Sequence, residues 1–255
     1  MNKALITAFY RTTTSKHVSA SRKPCLLLIL LKSRLRVLGG PFRGVRYVGA
    51  SAGSGFFPKL LGTYELELAG IMESVIARQP DVVVDAGAAE GYFAVGLATR
   101  CPAARVVTYD MNLRACYYLD VLATANGVRE RVLIHWQACT AEALESGLTA
   151  GAAPFLLMDV EGAEEWLLDP QKAPSLQKTE ILVELHEDGG RKDLACTLRE
   201  RFAASHAAEL IDSRPRILSD LPVSLWPFRK SAVLAMNEGR DPGQRWLHLT
   251  PLEKE

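Results

Sequence analysis

The sequence predicts an α/β fold in which a mostly parallel sheet is covered by helices on both faces. Three observations carry this. From Pro80 onward, short apolar runs alternate with stretches of helical character, and the connections between them are brief. That alternation is how parallel strands and crossover helices read in a sequence. The chain of 255 residues is 48% hydrophobic and 23% charged, enough apolar surface for a large core and too ordered a balance for a disordered, collagen-like or disulfide-scaffold protein.

Residues 1 to about 23 are polar and basic, with no usable periodicity, and disorder or fraying is expected there. Leu26–Val37 reads as a short helix stopped by Gly39-Gly40-Pro41. Gly49–Gly55 is a small-residue loop, and Tyr64–Arg78 a helix leading into the core. Strands are expected at Val82–Val84, Arg105–Tyr109, Val132–Trp136, Phe155–Met158 and Ile181–Leu185. The helices between them are Gly91–Arg100, Leu113–Asn126, Ala141–Ser146 and Ala163–Leu168. A further helix near Lys192–Ser205 precedes strand-like Glu209–Ile211, Val233–Met236 and Trp246–Leu249, with an antiparallel excursion suggested by the Pro- and aromatic-rich loop between the first two. The division is a basic N-terminal extension, 1–60, and a core domain, 61–255.

The charge is uneven. Before Glu65 there are eleven basic residues and no acidic one, although the whole chain carries a net charge of only +1. Such blocks suggest an appendage with its own role, which admits peripheral membrane contact, or one that packs against an acidic partner surface. A mitochondrial presequence, a nucleic-acid contact and a start codon placed too early are further readings of this arm. The longest apolar run, Cys25 to Leu31, is seven residues, far short of the roughly 20 that cross a bilayer. The five cysteines form no C-x-x-C pair, so reduced thiols and a cytoplasmic setting are expected, with no cysteine-built zinc site.

The most informative stretch is Asp81-Val-Val-Val-Asp85-Ala-Gly87-Ala-Ala-Glu-Gly91-Tyr92-Phe93. An apolar strand runs into an acid, with Gly87 and Gly91 after it and a helix beginning near Gly91. Glycines permit a tight turn and close approach of a ligand, and the helix start offers unpaired N–H groups. A dinucleotide fingerprint would place a second glycine where Ala89 stands, and Asp85 would repel a pyrophosphate. Asp85 instead favours a cofactor with a cationic end, an ammonium beside a sulfonium, which points to S-adenosylmethionine rather than NAD. Tyr92 belongs to the same loop. Asp110 closes the second strand about 20 residues later, where an acid accepts ribose hydroxyls. The third strand ends in Trp136-Gln137-Ala138-Cys139, the expected neighbourhood of the adenine at Ala138.

The fourth strand runs Phe155-Leu-Leu-Met-Asp159-Val-Glu161-Gly162-Ala-Glu164, and the fifth Ile181-Leu-Val-Glu184-Leu-His186-Glu187. Residues at i and i+2 point to the same side of a strand, so Asp159, Glu161, Glu184 and His186 form a polar cluster at the carboxyl edge. Such a cluster supplies general-base candidates, or oxygen and imidazole ligands for a divalent metal. No metal ligand set is assigned.

These three runs, Asp85–Phe93, Asp159–Glu164 and Ile181–His186, together with Gly62-Thr-Tyr-Glu65, resemble the FkbM family of class I methyltransferases over roughly Leu61 to Pro251. The resemblance implies a Rossmann-like, doubly wound, seven-stranded sheet with an antiparallel last strand, and S-adenosylmethionine-dependent methylation, commonly of a hydroxyl. It puts Asp85, Gly87 and Gly91 in the cofactor loop, Asp110 on the ribose, and Asp159 with Glu161 at the substrate edge. Family members often carry a lysine where this chain has Leu157, and a glutamate where it has Asp110.

The expected reaction is in-line transfer of the methyl group to a hydroxyl of a small molecule or glycan, with Glu161 or His186 taking the proton and Asp159 beside them. A non-catalytic module that binds cofactor or a partner is the alternative, and the Gly-x-x-x-Gly spacing disfavours an NAD-dependent oxidoreductase. The acidic core domain, with no aromatic-interleaved basic stripe, argues against a nucleic-acid substrate. Nothing in the sequence sets an oligomeric state.

Overall fold

The computed structural model describes residues 19–48, 51–52, 55–186, 193–239 and 243–252. One sheet contains β1 (Val82–Ala86), β2 (Arg105–Tyr109), β3 (Val132–His135), β4 (Phe155–Met158), β5 (Glu180–Leu185), β6 (His206–Asp212) and β7 (Arg245–Pro251). Its order is β3-β2-β1-β4-β5-β7-β6. Every neighbour pair from β3 to β5 is parallel, and β7 runs antiparallel between β5 and β6. The fold is therefore the α/β, mostly parallel seven-stranded sheet with an antiparallel last strand. Strand order reverses between β1 and β4, the topological switch point where open α/β sheets place ligands.

Alternation along each strand divides the core. On β1, Val83 faces one apolar cluster while Val82, Val84 and Ala86 face the other. The first cluster packs under α3 (Ala69–Arg78), α4 (Tyr92–Arg100) and α5 (Leu113–Ala125), and the second under α6 (Ala141–Leu148) and α8 (Leu194–Phe202). Asp85 shares the parity of Val83 and so lies on the α4 side of the sheet.

The N-terminal helix is α1, Lys23–Ser33, earlier and shorter than Leu26–Val37, and a short α2, Phe56–Leu61, follows it. Pro24 sits in its first turn, where a missing N–H costs nothing. It stops before the glycines because Ser33 Oγ donates to the Leu30 carbonyl and accepts the Leu35 N–H, and Arg34 and Leu35 turn left-handed at φ 49° and 61°. Arg36 then bridges Arg46 antiparallel. Cys25, Ile29, Phe42, Tyr47, Leu60 and Leu61 all join the first core cluster. Phe42 lies so close to Gly96 of α4 that a Cβ there would meet its ring at 2.5 Å.

Two further expectations shift. The helix expected over Tyr64–Arg78 begins only at Ala69, after a left-handed Glu65 (φ 46°) and a 3-10 turn at Leu66–Leu68. Val233–Met236 is not a strand but part of helix α9, Arg229–Ala235, ending at Met236. Its buried residues Ala232, Ala235 and Met236 follow helical spacing, while Leu234 is exposed. A four-residue apolar run cannot by itself distinguish the two periods. Of the fraying expected over residues 1 to about 23, residues 1–18 lie outside the described residues, as do the start of the helix at Lys192 and positions 49, 50, 53 and 54 of the expected Gly49–Gly55 loop, while residues 19–22 form a turn leading into α1. No helix among the described residues is long and apolar enough to cross a membrane.

Candidate functional site

The carboxyl ends of β1, β2, β4 and β5 bring the chemistry-bearing residues to one edge. After β1 the chain turns through Gly87 (φ 88°), Ala89 (φ 45°) and Gly91 (φ 86°), which starts α4. The N–H groups of Gly87 and Ala88 donate to the Tyr109 carbonyl at 2.8 and 3.2 Å, tying the loop to the end of β2. Both glycines answer to packing. A Cβ on Gly87 would stand 1.6 Å from the Asp159 carbonyl oxygen, and one on Gly91 2.6 Å from Leu119 Cγ.

Asp85 is buried at 3% exposure. Burial, then the negative charges of Asp159 and Asp110, raise its carboxyl pKa to about 8, against a hydrogen bond from the Ala94 backbone that favours ionisation. Glu65, of the lead-in segment, pushes the same way. The charges acting most strongly on this buried acid are thus all negative, an arrangement that a cation would complement.

Asp110 follows β2, its Oδ2 accepting from Ala89 N–H at 2.8 Å and its Oδ1 from Asn112 N–H at 2.7 Å. A carboxylate offers about four lone-pair positions, so two such bonds fix its plane and leave capacity for a diol. Met111 directly after it is 74% exposed, and Trp136, beyond the end of adjacent β3, is 60% exposed. Ala138 is exposed in the same connection. Met111 went unassigned in the sequence, though a large apolar residue following a strand-end acid was its signal. Tyr92 is buried, its ring packed against Phe42, Tyr47, Tyr64 and Phe93 at centroid distances of 5.3 to 5.8 Å. Burial, reinforced by Glu65 and Glu238, pushes its phenol pKa up.

At the ends of β4 and β5, Asp159, Glu161, Glu184 and His186 do meet. His186 Nε2 lies 3.4 Å from Glu161 Oε2, 3.6 Å from Asp159 Oδ1 and 3.7 Å from Glu184 Oε1. Its Nδ1 is 2.7 Å from Glu164 Oε1, an oxygen that also accepts the Gly162 N–H at 3.1 Å. Burial works to lower the His186 pKa, but the bond and charge of Glu164, with Asp159 and Glu184, carry it up to about 9. Glu164, in the first turn of α7 (Glu164–Leu167), is wholly buried and its pKa is depressed despite burial, through His186 and nearby N–H groups. It is the orienting partner that the sequence reading passed over. Glu161 is 84% exposed and held at φ 56°, a left-handed conformation that turns the chain from β4 into α7.

The arrangement can hold a cation at Asp85, anchor a diol at Asp110, present apolar surface at Met111 and Trp136, and accept a proton at Glu161 or Asp159. Asp159, Glu184 and His186 could also hold a divalent metal, since each offers one ligand atom within 4.8 Å of the others. An imidazole with two carboxylates suits a first-row ion better than calcium.

The chain matches no protein-family model and no curated protein. Among solved structures it is similar to an O-methyltransferase from Bacillus cereus in complex with SAH, at 13% identity and TM-score 0.45, over 96% of this chain and 97% of that one. It is also similar to the O-methyltransferase TomG from Streptomyces achromogenes, involved in tomaymycin synthesis and bound to SAM, at 14% identity and TM-score 0.45, over 98% and 100%. A precorrin 8w decarboxylase from Methanobacterium thermoautotrophicum reaches 17% identity and the same TM-score of 0.45, over 71% and 88%. Similarity at this level decides nothing about chemistry, which rests on the residues themselves.

Proposed function

We propose that the protein is an S-adenosylmethionine-dependent methyltransferase of FkbM type, acting on a hydroxyl of a small molecule or glycan in a reducing, cytoplasmic setting. The observation that carries this is Asp85, a buried acid whose strongest electrostatic neighbours are Asp159, Asp110 and Glu65, all of its own sign. A cation seated there relieves that repulsion, whereas a pyrophosphate would add to it. When bound, S-adenosylmethionine supplies an electrophilic methyl group on a sulfonium.

The chain's own residues then divide the work. Asp85 holds the cationic end, and Asp110, its plane set by Ala89 and Asn112, accepts the ribose hydroxyls. Met111 and Trp136 cover the adenine near Ala138. The acceptor oxygen has to be aligned and stripped of its proton, and alignment supplies most of the rate because no enzyme-bound intermediate is needed. His186 keeps its own proton at neutral pH, so the base role passes to Glu161, with Asp159 next to it. The imidazolium, fixed by Glu164, orients both carboxylates.

Calorimetry with S-adenosylhomocysteine, followed by transfer of a labelled methyl group to a cell extract, tests the reading. Binding and transfer are expected. Binding without transfer would favour a non-catalytic module, and preference for NADH would remove the methyltransferase reading.

A further inference from the structure

We propose that Glu90, Lys59 and Tyr47 are positioning residues for the cofactor, which makes the chain at Tyr47 and at Lys59 a working part of the cofactor site. This rests on the methyltransferase reading above. Glu90 stands in the β1–α4 loop, immediately after the strained Ala89 and before Gly91. Its carboxylate is paired with Lys59 Nζ and accepts the Tyr47 hydroxyl at 2.6 Å and the Ala52 N–H at 3.0 Å. Both ends of the ion pair are buried, Lys59 at 3% and Glu90 at 2% exposure. The Lys59 ammonium also lies over the Tyr64 ring, 4.5 Å from its centroid.

A buried ion pair is weak evidence of stabilisation, because the desolvation of both charges offsets their attraction and an apolar replacement often does as well. Its placement here matches a different role. Ala89 adopts φ 45°, a region disfavoured for any residue with a Cβ, and in that conformation its N–H reaches Asp110 Oδ2. Such strain persists only where the surroundings over-determine it. Glu90, held from three directions by the N-terminal segment, is the adjacent anchor that does so. The physical route runs from Lys59 and Tyr47 to Glu90, from Glu90 to the backbone of Ala89, and from the Ala89 N–H to the carboxylate that faces the ribose.

The charge block before Glu65 acquires a meaning in this arrangement. Lys59 is the last basic residue of that block, and its partner is the acid inside the glycine turn. Aromatic packing adds to this: Tyr47, and Tyr64 a few residues after Lys59, lie against Tyr92 at 5.8 and 5.5 Å. Tyr92 is accordingly the point where the same segment grips the first turn of α4, one residue beyond Gly91.

The test is calorimetry of S-adenosylhomocysteine with full-length protein, at a temperature where every variant is folded by circular dichroism. Tyr47→Phe and Glu90→Gln are compared with wild type, with His206→Gln as a control for stability loss, since among the described residues the His206 ring bonds Ser205 and Thr179 and packs on Phe202, none of them in the β1–α4 loop. Glu90→Gln is expected to weaken binding about tenfold or more, and Tyr47→Phe by a smaller factor in the same direction. His206→Gln is expected to lower the melting temperature without changing affinity. Because Glu90 acts through Asp110, Glu90→Gln combined with Asp110→Ala should bind little worse than Asp110→Ala alone. Wild-type affinity in both single variants, or full additivity in the double variant, would overturn the proposal. Should Glu90→Gln fail to fold, Tyr47→Phe, which removes one hydroxyl, and its double variant with Asp110→Ala decide alone. Failure of unaltered protein to bind S-adenosylhomocysteine would instead sink the methyltransferase reading, and this proposal with it.

Discussion

The carbonyl oxygen of Asp159 fills the space beside Gly87 where a side chain would begin, 1.6 Å from the ideal Cβ position. The backbone of the loop after β1 and that of the loop after β4 are thereby in direct apposition, and Asp159 N–H donates to the Ala86 carbonyl at 2.8 Å to lock them. Asp159 is thus placed by Gly87, and the loops after β1 and β4 are held together at this point.

Gly87→Ala should therefore be among the most damaging single changes in the chain. Backbone, unlike the tip of a side chain, cannot step aside, and φ 88° adds strain for any Cβ. A loss of about 3 kcal/mol or more is expected in urea denaturation, with much smaller losses for Gly127→Ala, where φ is also positive but the space is open. Equal stability of the two variants would mean that the apposition is not tight.

Asp85 gives a pH signature. Its carboxyl pKa is raised from 3.8 to about 8 in the folded state, so between those values the folded protein holds a proton that the unfolded chain has lost. Stability should fall as pH rises through this range, and Asp85→Asn should remove that slope, stabilising the free protein at pH 8 by about 1 kcal/mol or more. A bound cation favours the ionised form. S-adenosylmethionine binding at pH 7 should thus release a proton, detected by calorimetry in buffers of different ionisation enthalpy. A binding enthalpy independent of buffer would exclude Asp85 as the counter-charge.

Asp110→Ala should weaken cofactor binding by about tenfold to a hundredfold, the worth of hydrogen bonds to a charged acceptor. It also strands the Ala89 and Asn112 N–H groups that Asp110 now satisfies. Asp110→Asn, which keeps an acceptor oxygen, should lose less. Unchanged affinity in the alanine variant would take Asp110 out of the site.

His186 acts in the opposite sense to a neutral base. With a folded pKa of about 9 against an ordinary 6.5, its contribution to stability is complete below about pH 6.5 and disappears as pH rises through 9. His186→Gln should flatten the stability profile over that window, by on the order of 2 kcal/mol at its lower end. Glu164→Gln should do much the same, since Glu164 is the first group holding the proton in place. Urea titrations at several pH values separate this from a histidine that titrates normally.

The sheet and its edge were legible because strand ends are local features. Asp85, Asp110, Asp159 and His186 each follow a short apolar run, and parallel topology alone delivers them to one edge. What sequence does not contain is pairing across distance. Glu90 finds Lys59 thirty-one positions away, and Glu164 reaches His186 across twenty-two. Neither partner is specified by spacing, because which buried acid meets which base is decided by how the helices pack. How the extension packs was hidden for the same reason: its eleven basic residues set its charge, while Ile29, Phe42 and Tyr47 enter the core. Helix α9 was misread because a short apolar run carries no period of its own.

Arg216 is held by such distant pairing. It is 7% exposed between Glu67 and Glu238, at 2.7 and 2.6 Å, and its Nε donates to the Thr63 carbonyl at 3.0 Å. The guanidinium thus joins the segment before α3 to the chain after α9, and one planar fork serves all three acceptors. Arg216→Ala removes the guanidinium that both nearly buried carboxylates contact, a loss of about 3–5 kcal/mol. Arg216→Lys should recover only part of this, because one ammonium cannot reach both acids and the carbonyl in a fixed plane. Arg216→Met, which keeps an unbranched apolar stem without the charge, should lose about as much as the alanine variant. Recovery of most of the deficit by Arg216→Met would show that packing of the arginine stem, not its charge, is what the fold requires at this position.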